Sequence, residues 1–244
     1  MTAAKFKRFY AQASWAAVAL DGEVRAGPGF RVLLDGKAIK TPAKAKMLLP
    51  VQALAEAIAA EWQDQGEEVE ARALVLTGLA WTALDRVGPG REGVVDELAG
   101  YGAHDSVCYH AEAPADLAAR QRALWQPLLD WAADTLDAPL AVTTGVVSIE
   151  QPSETLAALR RAVAAWDDFE LTVLSAVASA AGSLVIGLAL VAGRIDAAAA
   201  FDAAQLDESY QIERWGEDPE AARRGAAIKA DLETAARFLA LLRS

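Results

Sequence analysis

The pattern of hydrophobic and polar residues changes once along the chain, near residue 50. Before that point, short apolar runs alternate with turn signals, and residues 30–42 read FRVLLDGKAIKTP. An Asp35-Gly36 pair between two apolar runs predicts a two-residue β-hairpin that pairs Leu34 with Lys37. The residues predicted to share its apolar face are Phe30, Val32, Leu34, Ile39 and Thr41.

A helix is the natural cover for this hairpin, because an isolated hairpin is only marginally stable in water. Apolar residues recur at helical spacing from Val51 to Trp62, and Pro50 suits the first turn of that helix. The polar stretch at 63–70 then ends the pattern. We therefore predict an α+β protein with a small β-rich N-terminal domain over residues 1–72. A larger, all-helical domain is predicted over residues 73–244.

The second part of the chain shows helical periodicity in segment after segment. Pro127 should kink or divide the segment at 114–136. Asp196 can cap a single helix that continues to Trp215. Asp218-Pro219 has the cap-then-proline form of a helix start. The predicted helical segments are 77–87, 91–101, 114–136, 153–166, two within 171–193, 196–215 and 219–242.

Residues 171–193, LTVLSAVASAAGSLVIGLALVAG, form the longest stretch without a charge. Such a length is typical of a transmembrane helix. Only ten of its residues are large aliphatics, however, and neither flank carries a basic cluster. Gly182-Ser183 suits a helix stop followed by a new N-cap. We therefore predict two short buried helices rather than a membrane span.

One carboxylate interrupts the apolar stripe of the predicted 196–215 helix. Ile212 falls about 20° to one side of Phe201 and Trp215 about 40° to the other, with Glu208 between them. An unpaired buried charge is costly, so Glu208 must find a partner, remain hydrated or serve a function. Two interpretations stay open: an ordinary boundary or ion-paired glutamate, and a contact residue at a cleft or partner surface.

The composition of the chain argues against several classes of function. The formal net charge is −11 and the isoelectric point about 4.7, which argues against binding to a nucleic acid backbone. A single cysteine, Cys108, excludes an internal disulfide and fits a reducing compartment. The N-terminus lacks the apolar segment of a secretory signal, so we expect a cytoplasmic protein. No Walker loop, GxGxxG or GxSxG motif is present.

A cluster at residues 104–110 offers the main enzymatic alternative. His104, Cys108 and His110 lie on one face if this segment is a strand, and such side chains can bind a metal. Their spacing matches no standard zinc pattern. The competing interpretation is a buried link between helices with Cys108 as a small hydrophobic residue.

Seven segments in the same order resemble the ATP12 family, the assembly chaperones of the F1 sector of ATP synthase. One of them contains the family's Glu-Trp-x-x-Gln pattern, here Glu61, Trp62 and Gln65. His110 departs from the pattern, since a more strongly basic residue, arginine, is expected at that position. The seven segments are 7–15, 30–42, 49–65, 76–87, 105–131, 182–195 and 206–216 (LDESYQIERWG).

The resemblance implies a chaperone rather than an enzyme, with no cofactor and no use of ATP. It implies that the chain binds the unassembled α subunit of F1 and shields its interface until β subunits replace it. We also expect a monomer that binds no nucleic acid and does not insert stably into membranes, located in the cytoplasm (the mitochondrial matrix in eukaryotic members of the family). Glu208 matches the acidic position of the family's Asp-Glu…Gln…Trp-Gly motif. The implied partner-binding residues are Glu208, Trp215, Tyr210, Gln211 and Trp62.

Overall fold

The structure, a computed structural model, describes residues 5–18, 29–145 and 147–244. The predicted α+β fold, with a β-rich start followed by many helices, is confirmed. The strands are β1 (Lys5–Lys7), β2 (Ala13–Val18), β3 (Gly29–Leu34), β4 (Lys37–Ala38), β5 (Glu68–Glu70), β6 (Tyr109–His110) and β7 (Thr143–Thr144). The helices are α1 (Gln52–Gln63), α2 (Val75–Thr82), α3 (Arg91–Tyr101), α4 (Ala115–Leu136), α5 (Ser153–Ala164), α6 (Asp168–Ala181), α7 (Leu184–Val191), α8 (Ala197–Ala204), α9 (Leu206–Trp215) and α10 (Pro219–Leu242).

The chain forms two compact units. The N-terminal unit comprises Met1–Gly90 together with Arg237–Ser244, and the C-terminal unit comprises Arg91–Ala236. The predicted domain boundary after residue 72 stays a prediction.

The predicted hairpin is the centre of the N-terminal unit. β3 pairs with β4 through Leu34 opposite Lys37, and it pairs on its other side with β2. Asp35 and Gly36 have φ values of 46° and 77°, the positive values that a two-residue hairpin turn requires. α1 packs on β2 and β3 with its predicted apolar stripe buried, so this part of the prediction is confirmed. The helix begins at Gln52, however, so Pro50 precedes it rather than lying in its first turn.

The uncharged stretch of the C-terminal unit folds as two buried helices, as predicted. α6 ends at Gly182, which adopts the left-handed conformation with φ 66°. The Ser183 hydroxyl then accepts a hydrogen bond from the Ile186 amide and caps α7. Every residue of α7 is buried. Among the described residues, no helix is both long enough and apolar enough to cross a membrane.

Two helix predictions are changed by the structure. Pro127 does not divide its segment, because α4 continues through it from Ala115 to Leu136. The alternative of a kink at Pro127 stays a prediction. The predicted single helix at 196–215 is instead two helices that meet at Gln205, whose backbone leaves the helical conformation (φ −107°, ψ 16°). The Trp125 indole donates a hydrogen bond of 2.9 Å to the Ala203 carbonyl. That carbonyl would otherwise accept from the amide four residues on, so a tertiary contact competes with continuation of the helix.

α10 begins as predicted, with the Asp218 carboxylate accepting hydrogen bonds from the Glu220 and Ala221 amides. Leu232 and Leu239 on its predicted apolar face are buried. From Arg237 onward α10 belongs to the N-terminal unit, while its residues up to Ala236 belong to the C-terminal unit.

Candidate functional site

The predicted partner-binding residues fall in two places. Glu208, Tyr210, Gln211 and Trp215 lie on α9 in the C-terminal unit, and Trp62 lies on α1 in the N-terminal unit. The break at Gln205 resets the helical register, so the angles measured from Phe201 do not describe α9. The buried face of α9 is formed by Leu206 and Tyr210, and Glu208 lies outside it.

Polar contacts fix α9 against α4. The Tyr210 hydroxyl donates a hydrogen bond of 2.9 Å to the Asp116 carboxylate, which also pairs with Arg214. The Arg120 guanidinium meets the Glu213 carboxylate at 2.7 Å. A further hydrogen bond of 2.7 Å runs from the Gln121 amide to Asp207. We call these contacts the α4–α9 ladder, made by Asp116, Arg120, Gln121, Asp207, Tyr210, Glu213 and Arg214.

Tyr210 is the centre of this ladder, since only 2% of its surface is exposed. The Arg120 and Arg214 guanidinium carbons lie 5.3 and 4.9 Å from its ring centroid. Burial raises the pKa of the Tyr210 hydroxyl. The hydrogen bond from Tyr210, followed by the nearby Arg214 charge, lowers the pKa of Asp116. The side chain of Tyr210 therefore supports α9 from beneath.

The opposite side of α9 presents a different surface. Glu208, Gln211, Ile212 and Trp215 are spaced at i, i+3, i+4 and i+7, which puts them on one face of the helix. We call this the α9 outer face. Trp215 is 77% exposed, Gln211 is exposed, and Glu208 is half-buried. No described residue forms a hydrogen bond or ion pair with the Glu208 carboxylate, so it is free to pair with a partner.

Trp62 has an internal position, since it is only 4% exposed. Its indole donates to the Thr77 hydroxyl at 3.0 Å, and its carbonyl accepts from the Tyr10 hydroxyl at 2.6 Å. Its neighbour Glu61 accepts from the amides of Leu76 and Thr77, at the start of α2.

Gln65 completes the same arrangement. Its side-chain amide donates to the Glu61 carbonyl at 3.1 Å and its side-chain oxygen accepts from the Glu70 amide at 3.0 Å. The Glu-Trp-x-x-Gln pattern thus joins α1 to α2 and β5. Hydrogen bonds within the N-terminal unit therefore account for the presence of Glu61, Trp62 and Gln65.

The cluster at 104–110 forms internal contacts. Asp105 is fully buried and accepts hydrogen bonds from the amides of Val107 and Val185. Burial, followed by the Asp105 charge, raises the pKa of the buried Cys108 thiol to about 12. An imidazole nitrogen of His110 lies 3.2 Å from the Val107 carbonyl, and its ring packs against Trp125.

A metal site receives no support from this geometry. Across residues 5–18, 29–145 and 147–244, no three histidine, cysteine or acidic side chains are grouped so that they could hold an ion. The high pKa of the Cys108 thiol also opposes a nucleophilic role, which requires the thiolate.

Sequence reasoning missed the α4 side of the ladder. Asp116 and Arg120 are four residues apart on one helix face, a common surface pattern that does not identify their partners on α9. It also missed Phe9, which is 71% exposed beside Tyr10. The available signal was three aromatic residues, Phe6, Phe9 and Tyr10, within five positions of the chain.

The chain is similar to one protein family and to several solved structures. The model of the family described as ATP12 chaperone protein matches residues 7–133. The chain is similar to the crystal structure of Atp12 from Paracoccus denitrificans, with 40% identity, a TM-score of 0.88 and coverage of 97% of this chain and 98% of that one. An aspartate-to-lysine variant of that protein matches at 39% identity, with the same TM-score and coverage. The Atu1473 protein of Agrobacterium tumefaciens matches at 33% identity with a TM-score of 0.87, covering 98% of this chain and 86% of that one.

Proposed function

Because this chain belongs to the ATP12 chaperone family, we propose that it is an assembly chaperone of the F1 sector of ATP synthase in the cytoplasm. It binds the unassembled α subunit and covers the interface that β subunits later occupy. It does so without hydrolysing ATP and without a cofactor.

The main support for this proposal is the composition of the α9 outer face. It combines a carboxylate without a described partner, Glu208, with a large exposed aromatic side chain, Trp215. Tryptophan is enriched at the energetic centres of protein interfaces, and a carboxylate beside it gives charge selectivity.

The α4–α9 ladder makes this surface suitable for recognition. It fixes α9 from below through a buried tyrosine and paired charges, so little conformational entropy is lost in that helix on binding. The half-buried position of Glu208 reduces its exposure to water, which strengthens its attraction to a basic group on the client.

The physical demands on such a chaperone are consistent with this arrangement. A subunit that awaits incorporation into a ring exposes partly apolar interface surface and self-associates. A small surface with one aromatic anchor and one carboxylate can cover it and still be displaced by the final partner. The net charge of −11 favours encounter with a basic patch.

The test is Glu208→Lys. We expect this variant to keep its thermal midpoint but to lose suppression of α-subunit aggregation, measured by light scattering without nucleotide. Reversing the charge replaces attraction by repulsion at the contact. The matched control is Glu233→Lys, an exposed glutamate on α10 with the same charge change, which should behave as wild type.

Aggregation suppression by Glu208→Lys at the wild-type level would remove Glu208 from the contact. Co-purification of wild-type chaperone with β subunits but not with α subunits would overturn the client assignment itself.

A further inference from the structure

The N-terminal unit contains a groove that the α9 outer face does not use. Its volume is about 510 Å³, within the range of roughly 300–1,000 Å³ typical of ligand pockets. All of its lining residues lie between Phe9 and Trp81, so the groove is built within this unit alone. We call it the aromatic groove.

A continuous row of aromatic rings leads into and lines this groove. Phe6 stacks on Phe9 at 6.2 Å, and Phe9 meets Tyr10 edge to face at 5.4 Å. Tyr10 and Trp62 follow at 5.8 Å, and Trp62 and Trp81 at 6.4 Å. Tyr10 and Trp62 are buried, whereas Phe9 is 71% exposed and Phe6 is exposed as well. The apolar surface therefore continues from the cavity onto the outside of the protein.

The loop that carries Phe9 and Tyr10 is held rigidly. The Arg8 guanidinium donates hydrogen bonds to the carbonyls of Tyr10, Ala11, Gln63 and Gln65. From the other side, the Asp35 carboxylate accepts from the amides of Ala11 and Gln12, and these bonds lower its pKa. A preformed surface of this kind loses little entropy when a partner binds.

The rim of the groove is positively charged, in contrast to the protein as a whole. Six of the seven lysines of the chain lie between residues 5 and 46. Lys37 and Lys40 line the groove, and Lys44 and Lys46 are exposed in the segment that follows. Neither Lys37 nor Lys40 forms a salt bridge with any residue of the described part of the chain. Asp35, the one carboxylate among the described lining residues, accepts hydrogen bonds from backbone amides and also feels the charge of Lys37, whereas Lys40 has no such carboxylate in the lining.

One of the tryptophans that line the groove carries an unpaired hydrogen-bond donor. The indole nitrogen of Trp81 is shielded from solvent and has no acceptor among the described residues. Buried polar groups are almost always hydrogen-bonded, so this unpaired donor is an exception within the N-terminal unit.

We infer that the aromatic groove is a second docking site for the client subunit, and that it takes an exposed client segment in which a bulky apolar side chain is flanked by carboxylates. The apolar side chain enters between Phe9 and the tryptophans Trp62 and Trp81, and the carboxylates face Lys37 and Lys40. A small molecule within the cavity would leave Phe9 in water, whereas a protein segment covers it. This inference rests on the proposed function, because it names the same client.

The first test measures affinity of the full chain for the purified, unassembled α subunit by biolayer interferometry. Both Lys37→Glu/Lys40→Glu and Phe9→Ser should weaken binding about tenfold or more, since one reverses the rim charge and the other removes an anchor. The matched control is Arg223→Glu/Lys229→Glu on α10, which changes the same number of exposed charges and should stay within about twofold of wild type. Circular dichroism checks that each variant is folded, and Phe9→Ser serves if the double variant is not.

The second test identifies the occupant. A photo-crosslinking amino acid at position 9 should label the α subunit, whereas one at Leu124, exposed on α4, should not. Labelling of a second copy of the chaperone from position 9 would assign the groove to self-association and overturn the inference.

The outcomes separate this inference from the proposed function. If wild type fails to bind α, both fail. If wild type binds α, Glu208→Lys abolishes binding and the groove variants bind like wild type, the groove inference alone is overturned. Weakened binding by the groove variants together with labelling of α from position 9 supports both.

Discussion

α7 and α9 lie in the same unit and have similar lengths, yet they are built in opposite ways. Every residue of α7 is buried, and Gly187 lies so close to α6 that an added Cβ would come within 2.9 Å of a Leu174 methyl group. α9 buries only Leu206 and Tyr210 and is held mainly by hydrogen bonds and ion pairs. The least polar helix therefore serves the stability of the fold, while the most polar one carries a surface on which side chains are free to change.

The largest loss of stability is expected when a charge is placed in α7. Ile186→Asp places a carboxylate where the wild-type side chain is fully buried, so we expect a loss of about 4 kcal/mol in the free energy of unfolding. Urea denaturation followed by tryptophan fluorescence measures this loss. A variant that unfolds at the wild-type midpoint would show that α7 is not the core of its unit.

The next effect concerns the carboxylate that anchors α7. Burial raises the pKa of Asp105 above its ordinary value of 3.8, so the folded state keeps this proton to higher pH than the unfolded state does. The folded state therefore gains free energy from holding this proton on Asp105. That gain is fully present below pH 3.8 and is lost as the pH rises through the pKa that Asp105 has in the folded protein.

Asp105→Asn removes this titration. We therefore expect the stability of wild type relative to Asp105→Asn to fall as the pH rises above 3.8. Urea denaturation of both proteins at a series of pH values measures the difference, which should be smaller than the effect of Ile186→Asp. A difference that does not change with pH, or that grows as the pH rises, would contradict the assigned direction.

The smallest effect on stability is expected on α9. Trp215→Ser removes a side chain that is 77% exposed, so the free energy of unfolding should change by less than about 0.5 kcal/mol. The same variant should bind the α subunit about tenfold more weakly if Trp215 is an anchor of the interface. Unfolding and binding are measured on one preparation of the variant. A loss of stability as large as that of Ile186→Asp would show that α9 is needed for the fold as much as α7 is.

Local patterns were enough to predict the elements that depend on neighbouring residues. The Asp35-Gly36 turn fixed the register of β3 and β4, because its positive φ values are a local requirement. The composition of residues 171–193 predicted two buried helices, because Gly182 and Ser183 end one helix and start the next by local bonding.

Features that depend on distant residues could not be predicted in this way. The division between α8 and α9 has no glycine or proline to mark it; it coincides with the bond from the Trp125 indole to Ala203, 78 positions along the chain. The same limit applies to the candidate surfaces. Glu208 could be selected, but its position outside the buried face of α9 follows from that division, and the groove requires contacts between residues far apart in sequence.

The path of α10 has a consequence for the order in which the protein is made. This helix supplies Arg237–Ser244 to the N-terminal unit, including the buried Phe238 and Leu239. A ribosome synthesises these residues only after the entire C-terminal unit. The unit that is translated first is therefore the last to obtain all of its core residues.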